Sequence, residues 1–209
     1  MTLTVDQKHA IILQDMKDLQ KHDAVFSKMD ANAAEMIRTR GNVDMAGLIR
    51  IVIGQQISNK VATNLWSKLT TDINPNDPDQ ILNAPEDQLK SYGLSRQKIV
   101  YVRGLANRVQ LSEIDIQSWV QKDDETVRAE ILSLKGFGPW SAQIFMMFHL
   151  CHRHIWPAGD LGIQIGLQKY FKLDDRPNEK EAEAMKSHFK GHETAASYWL
   201  WALKGDSAF

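Results

Sequence analysis

The sequence predicts an all-α protein, and three observations carry that prediction. Apolar residues recur every three or four positions along most of the chain, the spacing that lays them on one face of a helix. Several of these stretches open on Thr, Ser or Asp, whose side-chain oxygens satisfy the first unpaired N–H groups of a helix. Alternating apolar–polar runs, the mark of a half-buried strand, do not occur, and the links between periodic stretches are short. About ten helices follow from these boundary signals.

Taken in order, Thr4 to Gln7 reads as a capping box ahead of the apolar stripe Ile11, Ile12 and Leu19. "VDMAGLIRIVIGQQI" (43–57) is long and mostly apolar, which predicts a central buried helix. Ser58 can cap "NKVATNLWSKLTT" (59–71), whose Val61, Leu65 and Leu69 fall four apart on one face. In "DPDQILNA" (77–84), Asp77 is the cap, Pro78 takes the first turn and Gln80 closes the box. "PEDQLKSYG", "SRQKIVYVRGLANRVQ", "DETVRAEILSLKG" and "PWSAQIFMMFHL" supply further helices. "DLGIQIGLQKYF", "NEKEAEAMKSHFK" and "TAASYWLWALKG" complete the series.

Composition narrows the function classes. The chain has 209 residues, enough for one large domain or two lobes, and 43% are hydrophobic. Its 25 Lys and Arg balance 26 Asp and Glu, giving a net charge of −1. That balance argues against a non-specific, charge-driven nucleic-acid binder. It leaves room for binding through backbone N–H groups and a few local cations. Cys151 is the one cysteine, so neither a disulfide framework nor a cysteine-ligated zinc or iron–sulfur cluster is expected, and a buried free thiol in a reducing compartment is. The N-terminal stretch carries Asp and Lys throughout and does not read as a signal peptide. No apolar run approaches the roughly 20 residues of a membrane span, so no membrane association is expected.

"LSLKGFGPWSAQ" (132–143) is the most informative stretch. Gly136-Phe137-Gly138 follows a helix, not a strand, which sets it apart from the glycine loop of a dinucleotide fold. Glycine at both positions permits positive φ and removes the Cβ atoms that block close backbone approach. Pro139 suits the first turn of the next helix. The free N–H groups of such a turn attract an anion, and Lys135 adds a local charge. Two readings stay open on these residues: a plain turn between packed helices, or a clamp on a DNA phosphate. A partial echo, "LKSYGLSRQK" (89–98), reads as an ordinary helix end with Gly93 after the last turn.

Downstream, Asp160 in "WPAGDLGIQ" follows Pro157 and Gly159 and precedes a helix. Its ordinary role is an N-cap. Beside a DNA-gripping turn, a carboxylate there has a second use, facing the positive charge that develops on a sugar as a glycosidic bond breaks. His149, His152 and His154 lie close in sequence, but without thiol partners they read as three partly solvated histidines rather than a zinc site.

In combination, "IGQQIS" (53–58), "YGLSRQKIVYVRGLA" (92–106), "LKGFGPWSAQ" (134–143), "WPAGD" (156–160) and "SYWLW" (197–201) resemble the helix–hairpin–helix superfamily of DNA glycosylases. The resemblance is specifically to its 3-methyladenine DNA glycosylase II, or alkylpurine, branch. It runs from about residue 40 to the end. It implies a single two-lobed helical domain over residues 1–209, a helix–hairpin–helix at about 124–149, a lesion cleft between lobes and no N-terminal β-domain.

The resemblance also implies roles. Gly136 and Gly138, with Lys135 nearby, hold DNA phosphates. Asp160 is the catalytic aspartate. The "GQQIS" turn fills the space left by a flipped base, with Gln56 the wedge and Ile57 second. Ser58 and Asn59 are further DNA contacts, Ser58 equally being a helix cap. Bifunctional relatives carry a lysine two positions after the second hairpin glycine. Trp140 stands there in this chain and Lys135 lies on the wrong side of the turn, so a monofunctional hydrolase without lyase chemistry is implied. Trp140, Trp201 and Ile144 line the base pocket, and indole faces favour a cationic alkylpurine. Trp66, Trp156 and Trp199 are assigned to core packing. No metal or cofactor is implied. The partner is double-stranded DNA containing damaged bases, bound by a monomer in a bacterial nucleoid or a eukaryotic nucleus.

Two departures from the branch stand out. His192 and Glu193 in "GHET" replace an aromatic–Arg pair, and Ile144 replaces a residue that can be aromatic. The alternative function is a catalytically weak or silent homologue that binds abasic or distorted DNA; the intact Asp160 argues against it.

Overall fold

Thr4 opens the first helix through both halves of its capping box. Its hydroxyl accepts the Gln7 amide at 3.2 Å, and the Gln7 carboxamide accepts the Thr4 amide at 2.9 Å. This starts α1 (Val5–His22) in a computed structural model that describes residues 3–30 and 41–205. The outer limits of the family resemblance, at about residue 40 and at the extreme C-terminus, lie outside the described residues. Among the described residues there are eleven α-helices, three short 3₁₀ turns and no strand. The chain divides into two compact units, residues 41–145 and residues 1–40 with 146–209.

In the unit of residues 41–145, α2 (Met45–Gly54) is the buried helix its composition predicts, with Leu48, Ile49 and Val52 wholly enclosed. It ends at Gly54, three residues before the apolar run stops. Ser58 caps α3 (Asn59–Asp72), accepting the Val61 amide. The buried side of α3 holds Ala62 and Leu69, while Val61, expected on that face, is 45% exposed. Of the expected stripe Leu69 is buried and Leu65 half-buried, and Ala62 takes the inward place expected of Val61. Asp77 caps α4 (Pro78–Asn83) as expected, but Gln80 Oε1 accepts the Asn74 amide while its Nε2 donates to Asp77 Oδ2, so Gln80 bonds the Asp77 carboxylate and not its backbone N–H. Next come α5 (Glu86–Ser91) and α6 (Arg96–Gln110), and α6 packs against α2, α4 and α5. A 3₁₀ turn at Ile116–Gln121, which the helix periodicity does not reveal, buries Trp119 and points its indole N–H at Glu130 Oε2, 2.6 Å away. The helix–hairpin–helix is α7 (Asp124–Leu132) and α8 (Pro139–Phe148) with residues 133–138 between them.

The other unit holds α1, α9 (Leu161–Phe171), α10 (Glu179–Met185) and α11 (Glu193–Lys204). α11 is buried along nearly its whole length and packs on α9 and α1. Two glycines one turn apart on α9 set that approach: a Cβ on Gly166 would fall 2.4 Å from the Leu200 carbonyl oxygen, and one on Gly162 2.6 Å from the Trp201 ring. Trp199 is buried and donates its indole N–H to the Met16 carbonyl, and Trp156 donates to the Ala182 carbonyl. Both tryptophans therefore pack in the core, as expected of them. Trp66 is half-buried beneath the Arg50 guanidinium, 5.5 Å from the ring centroid.

His192 and Glu193, which depart from the alkylpurine pattern, are used inside this unit. Asp15, 4% exposed, takes a bidentate grip from Arg153 at 2.6 and 2.7 Å. His192 Nδ1 lies 3.1 Å from Asp15 Oδ1, but off the hydrogen-bonding direction. Glu193 Oε2 meets His154 Nδ1 at 2.8 Å. Burial acts to raise the Glu193 pKa, but the His154 hydrogen bond and backbone N–H groups outweigh it and hold the carboxyl below its usual range. His149 and His152 are buried and only His154 is solvated, which corrects the expectation of three partly solvated histidines. Among the described residues no group of three His, Cys, Asp or Glu side chains is arranged to hold a metal ion. Cys151 is buried, and the sequence holds no second cysteine to bridge it.

Candidate functional site

Residues 133–138 carry the chain from α7 into α8, and backbone bonds close the turn. Leu134 donates to the Ile131 carbonyl and Phe137 to the Leu134 carbonyl, at 3.0 and 3.1 Å. Leu134 and Phe137 are buried, which anchors the turn from inside, while Lys135 is exposed. Gly136 has φ +91°, and a Cβ there would enter the Tyr101 ring at 2.3 Å, so glycine is required twice over. Gly138 differs. It has no positive φ, and an added Cβ would meet nothing within 4 Å. Of the two positions where glycine permits positive φ, only Gly136 adopts it. Neither amide donates to another backbone group among the described residues. The first bond of α8 runs from the Ala142 amide to the Gly138 carbonyl at 3.1 Å.

The echo at residues 89–98 is one of letters more than backbone. There the left-handed residue is Gly93, at the second glycine position of the motif, and Leu94 donates back to Leu89 in a helix-end arrangement. In the hairpin proper the left-handed residue is Gly136, two places earlier in the alignment.

The "GQQIS" turn lies in the same unit as the hairpin and is bonded to it. The side-chain amide of Gln55 donates to the Gly136 carbonyl at 2.9 Å and to Ser141 Oγ at 3.1 Å. Gln56 is exposed and left-handed, with φ +59°, uncommon for a residue with a Cβ. Ile57 and Asn59 are half-buried and Ser58 is exposed. Lys98 Nζ reaches up from α6 to the carbonyls of Ile53 and Gln55, at 2.7 and 2.9 Å, covering the open end of α2. Burial lowers the Lys98 pKa. Sequence reasoning passed over Gln55, Lys98 and Tyr101; nothing local in the sequence marks a side chain whose partners in these two turns lie 35 to 86 residues away. On α8, Trp140 is half-buried and Ile144 is 2% exposed.

In the second unit, Asp160 caps α9. Its Oδ1 accepts the Ile163 amide at 3.0 Å and the Trp201 indole N–H at 2.8 Å. Trp201, 5% exposed, is stacked on Phe148 and Tyr198 at centroid distances of 5.6 and 6.1 Å. Gly162 leaves the room for that ring, since its missing Cβ would stand 2.8 Å from Trp201 Nε1 and 2.9 Å from Asp160 Oδ1. Asp160 and Trp201, assigned separately from the sequence, are therefore hydrogen-bonded partners. A half-buried carboxylate fixed by two donors on one oxygen is a directed negative charge, suited to facing a cationic centre.

An all-helical chain with a left-handed glycine hairpin between two helices and an aspartate at a later helix start defines the class. The chain belongs to the HhH-GPD superfamily of base excision DNA repair proteins, which matches residues 49–189. Among its relatives is the alkylbase DNA glycosidase-like protein mag2 of Schizosaccharomyces pombe, 25% identical over 203 residues, covering 90% of this chain and 94% of the relative. DNA-3-methyladenine glycosylase of Saccharomyces cerevisiae is 32% identical over 170 residues, covering 76% of this chain and 57% of that protein. The fold is that of the S. pombe 3-methyladenine DNA glycosylase solved in complex with abasic DNA, with a TM-score of 0.76 at 21% identity over 90% of this chain and 95% of that one.

Proposed function

We propose that the protein is a monofunctional DNA glycosylase that releases alkylated purines of the 3-methyladenine and 7-methylguanine type from double-stranded DNA, leaving an abasic site. The observation that carries the reading is Asp160, held at the start of α9 by the Ile163 amide and the Trp201 indole. Membership in a base excision repair superfamily gives that carboxylate its context.

A purine alkylated at N3 or N7 carries a positive charge and leaves without a general acid. The remaining barrier is the build-up of positive charge on the sugar as the N-glycosidic bond breaks. The Asp160 carboxylate opposes that charge and orients the water that adds to the sugar carbon, one proton being lost to solvent. The target base must first leave the stack, at a cost of a few kcal/mol that is least for damaged bases. Gln56 is assigned to the space it vacates, with Ile57 and Ser58 beside it in the turn. Gly136, Gly138 and Lys135 are assigned to the phosphates. Open space where a Gly138 Cβ would stand suits close approach by a ligand backbone, since the protein's own packing does not demand glycine there. Trp140 and Ile144 are assigned to the base. Trp201 was assigned to it from the sequence, and its bond to Asp160 supports an orienting role as well. Trp140 occupies the position from which a lysine would attack the sugar, so the reaction stops at the abasic site.

The test is a duplex carrying a single 7-methylguanine, incubated with the protein and analysed for free base and strand length. Free base together with a strand that breaks only after alkali is the expected result. Strand breakage without alkali overturns the monofunctional assignment. Tight binding without release favours a silent homologue.

A further inference from the structure

The wedge turn and the phosphate hairpin belong to one unit and share supports that the assigned function does not use. Gln55 immediately precedes the exposed Gln56, and its side-chain amide reaches two atoms of the hairpin region, the Gly136 carbonyl and Ser141 Oγ. Lys98 holds the carbonyls of Ile53 and of Gln55 itself, so the base of the turn is fixed from α6. One helical turn further along α6, the Tyr101 ring fills the space under Gly136 where a Cβ would otherwise stand. One face of α6 thus carries both turns, and Gln55 bridges them directly. Gln56 keeps an unfavourable left-handed backbone, a conformation that persists when its surroundings over-determine it.

We propose that Gln55 and Lys98 are positioning residues that couple gripping of the DNA backbone to insertion of Gln56. With the bridge intact, a hairpin seated on phosphate presents Gln56 at a fixed height and angle. Without it, the hairpin still grips while the Gln56 turn relaxes out of its left-handed conformation. This rests on the reading of Gln56 as the wedge.

The experiment needs no catalysis. A duplex with a tetrahydrofuran abasic analogue and a neighbouring 2-aminopurine reports insertion as a rise in fluorescence, and an end label reports binding by anisotropy. Wild type, Gln55→Ala, Lys98→Met, Lys98→Arg and Gln56→Ala are compared at saturating protein. For Gln55→Ala and Lys98→Met, the inserted-to-uninserted ratio in the bound complex is expected to fall by roughly 5–30-fold, the factor for losing one or two buried hydrogen bonds. Lys98→Arg, which keeps donors for both carbonyls, is expected to restore insertion. An unchanged signal per complex in Gln55→Ala and Lys98→Met, with the signal lost in Gln56→Ala, overturns the coupling and leaves the wedge standing. No rise in wild type, or no loss in Gln56→Ala, removes the wedge and the coupling together. A merely structural role for Gln55 or Lys98 lowers thermal stability without changing the signal per bound duplex, and so also counts against the proposal.

Discussion

Asp160 and Trp201 meet through one hydrogen bond that does two jobs, fixing a carboxylate and satisfying a buried indole N–H. Trp201→Phe separates them: the ring stays against Phe148 and Tyr198, and the donor is lost. The base-release rate is expected to fall about 10-fold while stability changes by about 1 kcal/mol, the usual worth of one hydrogen bond. A rate unchanged in a fully folded variant would mean that Ile163 alone orients the carboxylate. Asp160 was legible because Pro157, Gly159 and the helix after it mark a cap position. Its indole partner lies 41 residues on and was legible only as an aromatic residue with a family role. Gln55 was hidden for the same reason, since its chemistry appears only when the hairpin is beside it.

Helices packed through glycine impose a sharper requirement than helices packed through side chains, and the glycines of α6 and α9 give opposite predictions. Gly166→Ala puts a methyl group 2.4 Å from a backbone oxygen of α11, which cannot swing aside. It is expected to destabilise the protein by about 1–3 kcal/mol. Gly104, inside α6, has nothing within 4 Å of its would-be Cβ, so Gly104→Ala is expected to stabilise by about 0.4–1 kcal/mol through reduced freedom of the unfolded chain. Chemical denaturation of both variants checks the pair, and equal signs would contradict this packing. Helix existence was legible throughout, because caps and spacing are local. The inward residue of the first turn of α3 was not, since Val61 and Ala62 are both apolar and the packing around the helix decides between them. The 3₁₀ turn around Trp119 was hidden too, being too short to show a period.

At the scale of the whole molecule, charge balance and acid sensitivity come from the same residues. A net charge of −1 leaves DNA recognition to backbone amides and a few cations, while several acidic groups are committed to internal pairs. Glu193 is held below its ordinary value of 4.5 in the folded state, so its contribution is present above that value and is lost as pH falls through the lower, folded one. The melting temperature of wild type is therefore expected to drop below pH 4.5, and Glu193→Gln to flatten part of that drop. An identical acid profile in the variant would show that other carboxylates govern it. The helical architecture was legible as a family resemblance; how Asp15 and Glu193 would tie α1 and α11 to Arg153 and His154 was not, because such pairs join residues 39 to 138 apart. The central claim is that Asp160 drives hydrolysis of the glycosidic bond, and single-turnover release of 7-methylguanine from a duplex by wild type and Asp160→Asn tests it most directly. The mutant is predicted to bind the duplex and lose on the order of 10²–10⁴-fold in release rate; release at the wild-type rate would contradict the claim.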